Sequence, residues 1–213
     1  MAVTHILFDL DGTIIDSCEG VWNGVKHALR SLNEPIPDTE TLKLFIGPPL
    51  EYSFRNFCGF DDEKIRKAVV LYREYYGTEG WKHSILYPGV KETLKSLHAK
   101  GYKMFIATSK PGVYAEQIAE YLGISPYLTA VVGCGLDGTR NTKKEVMQCV
   151  LDTYNIPLEQ AIMVGDRKFD MIPSGELGLK TVAALFGFGT YEELSSFNPT
   201  YYAKSFSDLD ELF

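Results

Sequence analysis

Apolar residues recur along the chain in two different rhythms. Short, nearly unbroken runs sit in "HILFDL", "YKMFIAT", "TAVVGC", "QAIMVGD" and "KTVAALFG". Such runs, bounded by turn residues, predict strands buried on both faces. Between them lie stretches with apolar positions three and four apart: "VKETLKSLHAKG", ending on the stop signal Gly101, then "GVYAEQIAEYLG" and "KKEVMQCVLDTY". A fourth, "FDMIPSGELG", predicts a helix interrupted at Pro173, and the tail "TYYAKS" offers one more strand. Strand–helix alternation of this kind implies right-handed βαβ units and a mainly parallel sheet.

One long stretch departs from the alternation. From Ser17 to Leu86 only helical patterns occur, with Val21, Val25, Ala28, Leu29 and Leu32 on one stripe and Ile65, Val69, Tyr72 and Tyr76 on another. A Pro-containing break, "NEPIPD", and short helical pieces around "TETLKLF" and "EYSFRNF" lie between them. The expected fold class is therefore α/β: a Rossmann-like parallel sheet with helices on both faces, and an all-α domain inserted after the first strand. The expected boundaries are 1–16 with 87–213 for the α/β core and 17–86 for the insert.

Composition narrows the possible partners. The 213 residues are 45% hydrophobic and 23% charged, ordinary for a globular protein, and the apolar runs fall short of the ~18 residues a membrane helix needs. No export signal is visible in "MAVTHILFDLDG", and Cys18, Cys58, Cys134 and Cys149 are scattered, which reads as free thiols in a reducing cytoplasm. The four histidines show no ligand spacing. A net charge of −7 argues against a nucleic-acid polymer as partner but leaves a small anionic substrate open, since local cations or a metal can invert the field in a cleft.

The chemistry collects where strands end. In open α/β sheets, ligands bind beyond the carboxyl ends of the strands. The first strand delivers Asp9 and Asp11, two apart and so able to project together; the second ends in Thr108, Ser109 and Lys110; a later one delivers Asp166, with Asp170 about one helical turn on. Lys143 opens the helix before that strand. Carboxylates clustered without His or Cys suit a hard cation, Mg²⁺ above all, which commonly shares its site with a phosphate. Hydroxyls and a lysine would serve the other phosphoryl oxygens, and a carboxylate can act as nucleophile.

Each piece alone has a plainer reading. Asp-x-Asp-Gly makes turns, Thr108 could cap a helix, and Lys143 could be an exposed helix-start residue beside Lys144. It is the convergence of all of them that favours a site. Lys110, Arg140, Arg167 and Lys168 are expected as a solvated basic rim, and Tyr72, Tyr75 and Tyr76 as packing within the insert.

"DLDGTIID", "IATSK", Lys143 and "VGDRKFD" resemble the four ordered motifs of the haloacid dehalogenase superfamily of phosphohydrolases. The resemblance runs from residue 6 to about 186, and the insert is similar in position and helical character to that superfamily's C1 cap. It implies that Asp9 is the nucleophile and Asp11 the general acid and then base. It implies that Thr108, Ser109 and Lys143 hold the transferring phosphoryl group. Mg²⁺ would be bound by Asp9, the backbone carbonyl of Asp11, and Asp166, with Asp170 helping directly or through water. The family lysine often precedes a proline, which is absent here, so Lys144 remains the alternative to Lys143. An acid at position 11 favours phosphate esters over carbon–halogen or carbon–phosphorus bonds.

"FIGPPLEYSFRNF", "ATSKPGVYA" and "GLDGTRNTKKEV" are similar to the 5′-nucleotidase-like branch near phosphoglycolate phosphatase. The implied substrate is a small soluble phosphomonoester, a nucleoside 5′-monophosphate ahead of phosphoglycolate. A β-phosphoglucomutase-like phosphomutase would keep the same motifs. A phospho-aspartate receiver domain is disfavoured, since receivers are shorter and lack the 70-residue insert.

Overall fold

The computed structural model describes residues 2–137 and 139–213. By its internal contacts the chain divides into two compact units, residues 1–16 with 86–213, and residues 17–85. In chain order the elements are β1 (His5–Phe8), β2 (Ile15–Asp16), α1 (Cys18–Ser31), α2 (Thr39–Lys43), α3 (Leu50–Cys58), α4 (Asp62–Tyr76), β3 (Ile85–Leu86), α5 (Val90–Ala99) and β4 (Lys103–Pro111). There follow α6 (Gly112–Tyr121), β5 (Ala130–Cys134), α7 (Lys143–Thr153), β6 (Ala161–Gly165), α8 (Lys168–Leu177), β7 (Lys180–Ala184), α9 (Tyr191–Ser195), β8 (Tyr201–Ala203) and α10 (Leu209–Leu212).

In the first unit, six strands among the described residues form one sheet in the order β5-β4-β1-β6-β7-β8. Every neighbouring pair is parallel. This is the α/β plan the alternation predicts. β1 is central, and its last residue, Phe8, stands level with Ile106 of β4 and Val164 of β6. The carboxyl ends of these three strands therefore lie side by side.

Strand side chains alternate between faces, and the two faces have different partners. Leu7, Phe105, Ala107 and Met163 pack with Val146, Met147, Val150 and Leu151 of α7. Phe8 points the other way and stacks on Phe206 at 5.6 Å. Asp9 shares the parity of Leu7, so the alternation aims its carboxylate toward the side where α7 begins. The N-terminus of α7 is fixed by a capping box: the Thr142 hydroxyl accepts from Glu145 N–H, and the Glu145 carboxylate accepts from Thr142 N–H. That box makes Lys143 the first helical residue.

The second unit is helical, as its periodicity predicts. Val21, Val25, Ala28 and Leu29 of α1 are buried, as are Ile65, Ala68, Val69, Tyr72 and Tyr76 of α4. Gly24 lies against the Tyr72 ring, which stacks on Tyr76 at 5.3 Å. Tyr75 stacks on His27, so the tyrosine stripe is packing, as expected.

Two expectations need correction. Residues 85–86 form a strand, paired with β2 in a two-stranded ribbon; a run of two residues is too short to show alternation. The helix containing Pro173 is not interrupted, since α8 runs unbroken from Lys168 to Leu177. Pro173 removes one backbone donor, and its own burial with Met171 and Ser174 offsets that loss.

Candidate active site

The acids arrive from separate strands and meet. Asp9 leaves β1 with its N–H donating to the Val164 carbonyl at 2.9 Å, which ties the start of the loop to β6. Gly12, with φ +90°, turns the chain next. A Cβ at this position would run into the Asp166 carboxylate and the Phe188 ring, so both the backbone conformation and the close approach require glycine. Asp9, Asp166 and Asp170 each offer a carboxylate oxygen, and the three oxygens lie within 4.8 Å of one another. All three side chains are buried.

Asp166 is held on both oxygens. Thr13 Oγ1 donates to Oδ1 at 3.3 Å, and the Phe188 N–H donates to Oδ2 at 2.8 Å. Asp170 accepts from the Arg167 N–H at 3.1 Å through Oδ2. Lys143 ties the group together, with Nζ 2.6 Å from Asp9 Oδ1 and 2.7 Å from Asp170 Oδ1. Lys144, by contrast, is exposed and pairs with Glu176 at 2.8 Å. The geometry thus brings Lys143, not Lys144, to the acids.

Burial and crowding set the electrostatics. Asp166 is pushed well above the usual carboxylate range by burial and by the neighbouring charges of Asp170 and Asp9, against the stabilising Phe188 N–H. Asp170 is raised to about 6 by burial and by Asp9, even with the Lys143 ammonium opposing. Burial alone would lower Lys143, but the Asp170 and Asp9 carboxylates outweigh it and hold its pKa above the ordinary lysine value. One lysine therefore does not neutralise the cluster. A divalent cation would, and an all-carboxylate oxygen set of this size fits Mg²⁺.

Two further groups complete the site. Thr108 is buried in the carboxyl-terminal half of β4, and its hydroxyl accepts from the Lys110 N–H at 3.2 Å; Ser109, next along, is partly exposed. Asp11 is buried beside Lys110, with Nζ 3.1 Å from Oδ1. The carboxylate of Asp11 thus stands outside the three-acid cluster. Lys110 overturns the expectation of a solvated rim: it is 8% exposed, in the irregular stretch of β4 between Thr108 and Pro111 where the register against β5 shifts, and its ammonium lies against Asp11. Arg167 is not solvated either, being paired with Glu193 at 3.1 Å, whereas Arg140 is exposed as expected. Thr13 and Phe188 were not singled out by sequence. Thr13 lies inside "DLDGT", but the Phe188 contribution is a backbone amide and leaves no residue-type signal.

A parallel sheet with buried acids, a lysine and a threonine at the carboxyl ends of its strands is an arrangement suited to phosphoryl transfer. Comparison with known proteins agrees. The haloacid dehalogenase-like hydrolase family matches residues 6–184, and the chain belongs to it. It is 36% identical over 208 residues to a 5′-nucleotidase from Pseudomonas aeruginosa, covering 98% of this chain and 94% of that protein. It is 28% identical over 215 residues to a phosphoglycolate phosphatase from Vibrio parahaemolyticus, covering 97% and 94%. The crystal structure of a predicted phosphatase from Clostridium acetobutylicum superposes with a TM-score of 0.95 at 36% identity, over 100% of this chain and 98% of that one. The expectation of a phosphatase near the nucleotidase and phosphoglycolate branches agrees with these relatives.

Proposed function

We propose that the protein is a Mg²⁺-dependent phosphomonoester hydrolase that works through an aspartyl phosphate on Asp9. The observation that carries this reading is the convergence of Asp9, Asp166 and Asp170 within 4.8 Å, bridged by Lys143. Asp9, Asp166 and the Asp11 backbone carbonyl would hold the metal, with Asp170 directly or through water. When bound, Mg²⁺ supplies the positive charge that lets Asp9 and a phosphate dianion approach.

The residues of the chain do the rest. An Asp9 carboxylate oxygen attacks phosphorus while the ester P–O bond breaks, and Asp11 gives its proton to the departing alcohol oxygen. Asp11 then takes a proton from water, whose oxygen attacks the same phosphorus and releases inorganic phosphate and free Asp9. Lys143 sits on the Asp9 carboxylate, so a phosphoryl group transferred there meets its ammonium. The Thr108 hydroxyl and Ser109 serve the remaining oxygens. Lys110 holds the carboxylate of the acid–base residue.

The proposed substrate is a nucleoside 5′-monophosphate, supported by similarity to a relative named as a 5′-nucleotidase across nearly the whole of both chains. Residues 17–86 are proposed to act as the cap that selects it, with residues 1–16 and 87–213 as the catalytic core. Among the described residues, no helix is long and apolar enough to cross a membrane. The test is phosphate release across nucleoside monophosphates, phosphoglycolate and sugar phosphates, with Mg²⁺ and with a chelator. Highest kcat/KM on a nucleotide, lost on chelation, is the expected result. Preference for a sugar phosphate without nucleotide turnover would overturn the substrate. Isomerisation of a hexose phosphate with little phosphate release would indicate a mutase.

A further inference from the structure

The segment running from the end of β7 into α9 touches the turn from Asp166 to Asp170 at three places. Gly187 and Gly189 lay its backbone so close to Asp166 that a Cβ at either position would overlap that residue. The Phe188 N–H occupies Asp166 Oδ2. At the far end, Glu193 Oε1 accepts from Arg167 Nε at 3.1 Å and from the Lys168 N–H at 2.8 Å. Glu193 is itself anchored, its N–H donating to the Thr190 hydroxyl at 3.2 Å.

The last contact answers a local problem. Arg167 stands at the N-cap of α8, where a side-chain oxygen ordinarily accepts from the first free amides. Guanidinium has no acceptor, so Arg167 cannot cap its own helix. Glu193 does so from another element: its negative charge suits a helix N-terminus, and the same oxygen fixes the arginine. Arg167 and Glu193 side chains are only 11% and 23% exposed, which keeps this pair from being a loose surface contact. The first turn of α8 carries Asp170, and the residue before its cap is Asp166.

We infer that Glu193 is a positioning residue, which caps α8 in place of Arg167 and thereby holds Asp166 and Asp170 at the spacing that binds the divalent cation. This rests on the proposed metal site. The Glu193 carboxylate is engaged by Arg167 and the Lys168 amide, so its loss acts on metal affinity and not on the chemical step.

The experiment titrates Mg²⁺ alone into wild type, Glu193→Ala and Glu193→Gln by calorimetry, with turnover against Mg²⁺ concentration and melting in chelator measured in parallel. Glu193→Ala is expected to weaken Mg²⁺ binding about tenfold, the size found when groups behind metal ligands are removed. Its kcat at saturating Mg²⁺ should stay near wild type. Glu193→Gln keeps an acceptor for the Lys168 amide and should fall between the two. A merely structural role would lower the melting temperature and leave the Mg²⁺ Kd of the folded protein unchanged; a Kd within twofold of wild type overturns the inference. If Glu193→Ala does not fold, Glu193→Gln, which loses the charge at the helix N-terminus, must show weaker Mg²⁺ binding than wild type instead, and an unchanged Kd overturns the inference equally. Wild type that binds no Mg²⁺ would overturn the metal site itself and this inference with it.

Discussion

Replacing Lys143 with methionine tests the electrostatic core of the site without any substrate. Methionine keeps most of the volume and removes the charge. Lys143 is 7% exposed and lies 2.6 Å from Asp9 and 2.7 Å from Asp170. At an effective dielectric constant of about 20, each pair attracts by about 6 kcal/mol. Burying the ammonium costs several kcal/mol, which removes much of that gain. What remains after substitution is two buried carboxylates facing each other with no cation between them. Breaking a buried pair in this way costs about 3–5 kcal/mol. The assay is urea unfolding in chelator at neutral pH, followed by far-UV circular dichroism, because both tryptophans, Trp22 and Trp81, lie in residues 17–85. Adding Asp170→Asn should recover about 2 kcal/mol or more, since one of the stranded charges is gone; the double-mutant cycle measures that coupling. A loss below about 1 kcal/mol, the size of an exposed pair, would refute the reasoning.

Two other predictions concern the same groups. The folded-state pKa of Asp170, about 6 against 3.8, and that of Asp166, raised further by burial and crowding, mean that the metal-free fold holds more protons than the unfolded chain. The associated stability is full below pH ~4 and is lost as pH rises through about 6 for Asp170 and higher for Asp166, with a cost from Asp170 of about 3 kcal/mol at pH 7. Melting in chelator should therefore fall between pH 5 and 7.5 by more in wild type than in Asp170→Asn, and equal slopes would contradict the shift. Lys110→Met frees the Asp11 carboxylate and should lower kcat about tenfold or more while KM changes little, as expected if Lys110 orients the acid–base group; unchanged kcat would return Lys110 to a packing role.

The parts of this architecture that sequence reveals are those with a repeating physical cause. β1, β4, β6 and β7 are buried on both faces, so they appear as unbroken apolar runs, and their order around β1 puts Asp9, Thr108 and Asp166 at one edge. Lys143 is legible only through the resemblance of "GLDGTRNTKKEV", which leaves Lys144 open; the choice between them falls to the ion pairs of the fold, which tie Lys143 to Asp9 and Asp170 and Lys144 to Glu176. Lys110 is misread because a lysine in a loop-like "TSKP" is ordinarily solvated, and here it lies in an irregular, register-shifted end of β4 beside the buried Asp11. Glu193 and the Phe188 amide are invisible for a different reason. They act across 25 and 22 residues of chain, through contacts that no local pattern encodes.

The most direct test of the central claim is to look for phosphorus on Asp9. Radiolabelled substrate mixed with enzyme and Mg²⁺, acid-quenched within milliseconds and mapped by proteolysis, should yield a hydroxylamine-labile label on the peptide containing Asp9, absent from Asp9→Asn and from chelated enzyme. Full turnover by Asp9→Asn, or label on any other residue, would contradict it.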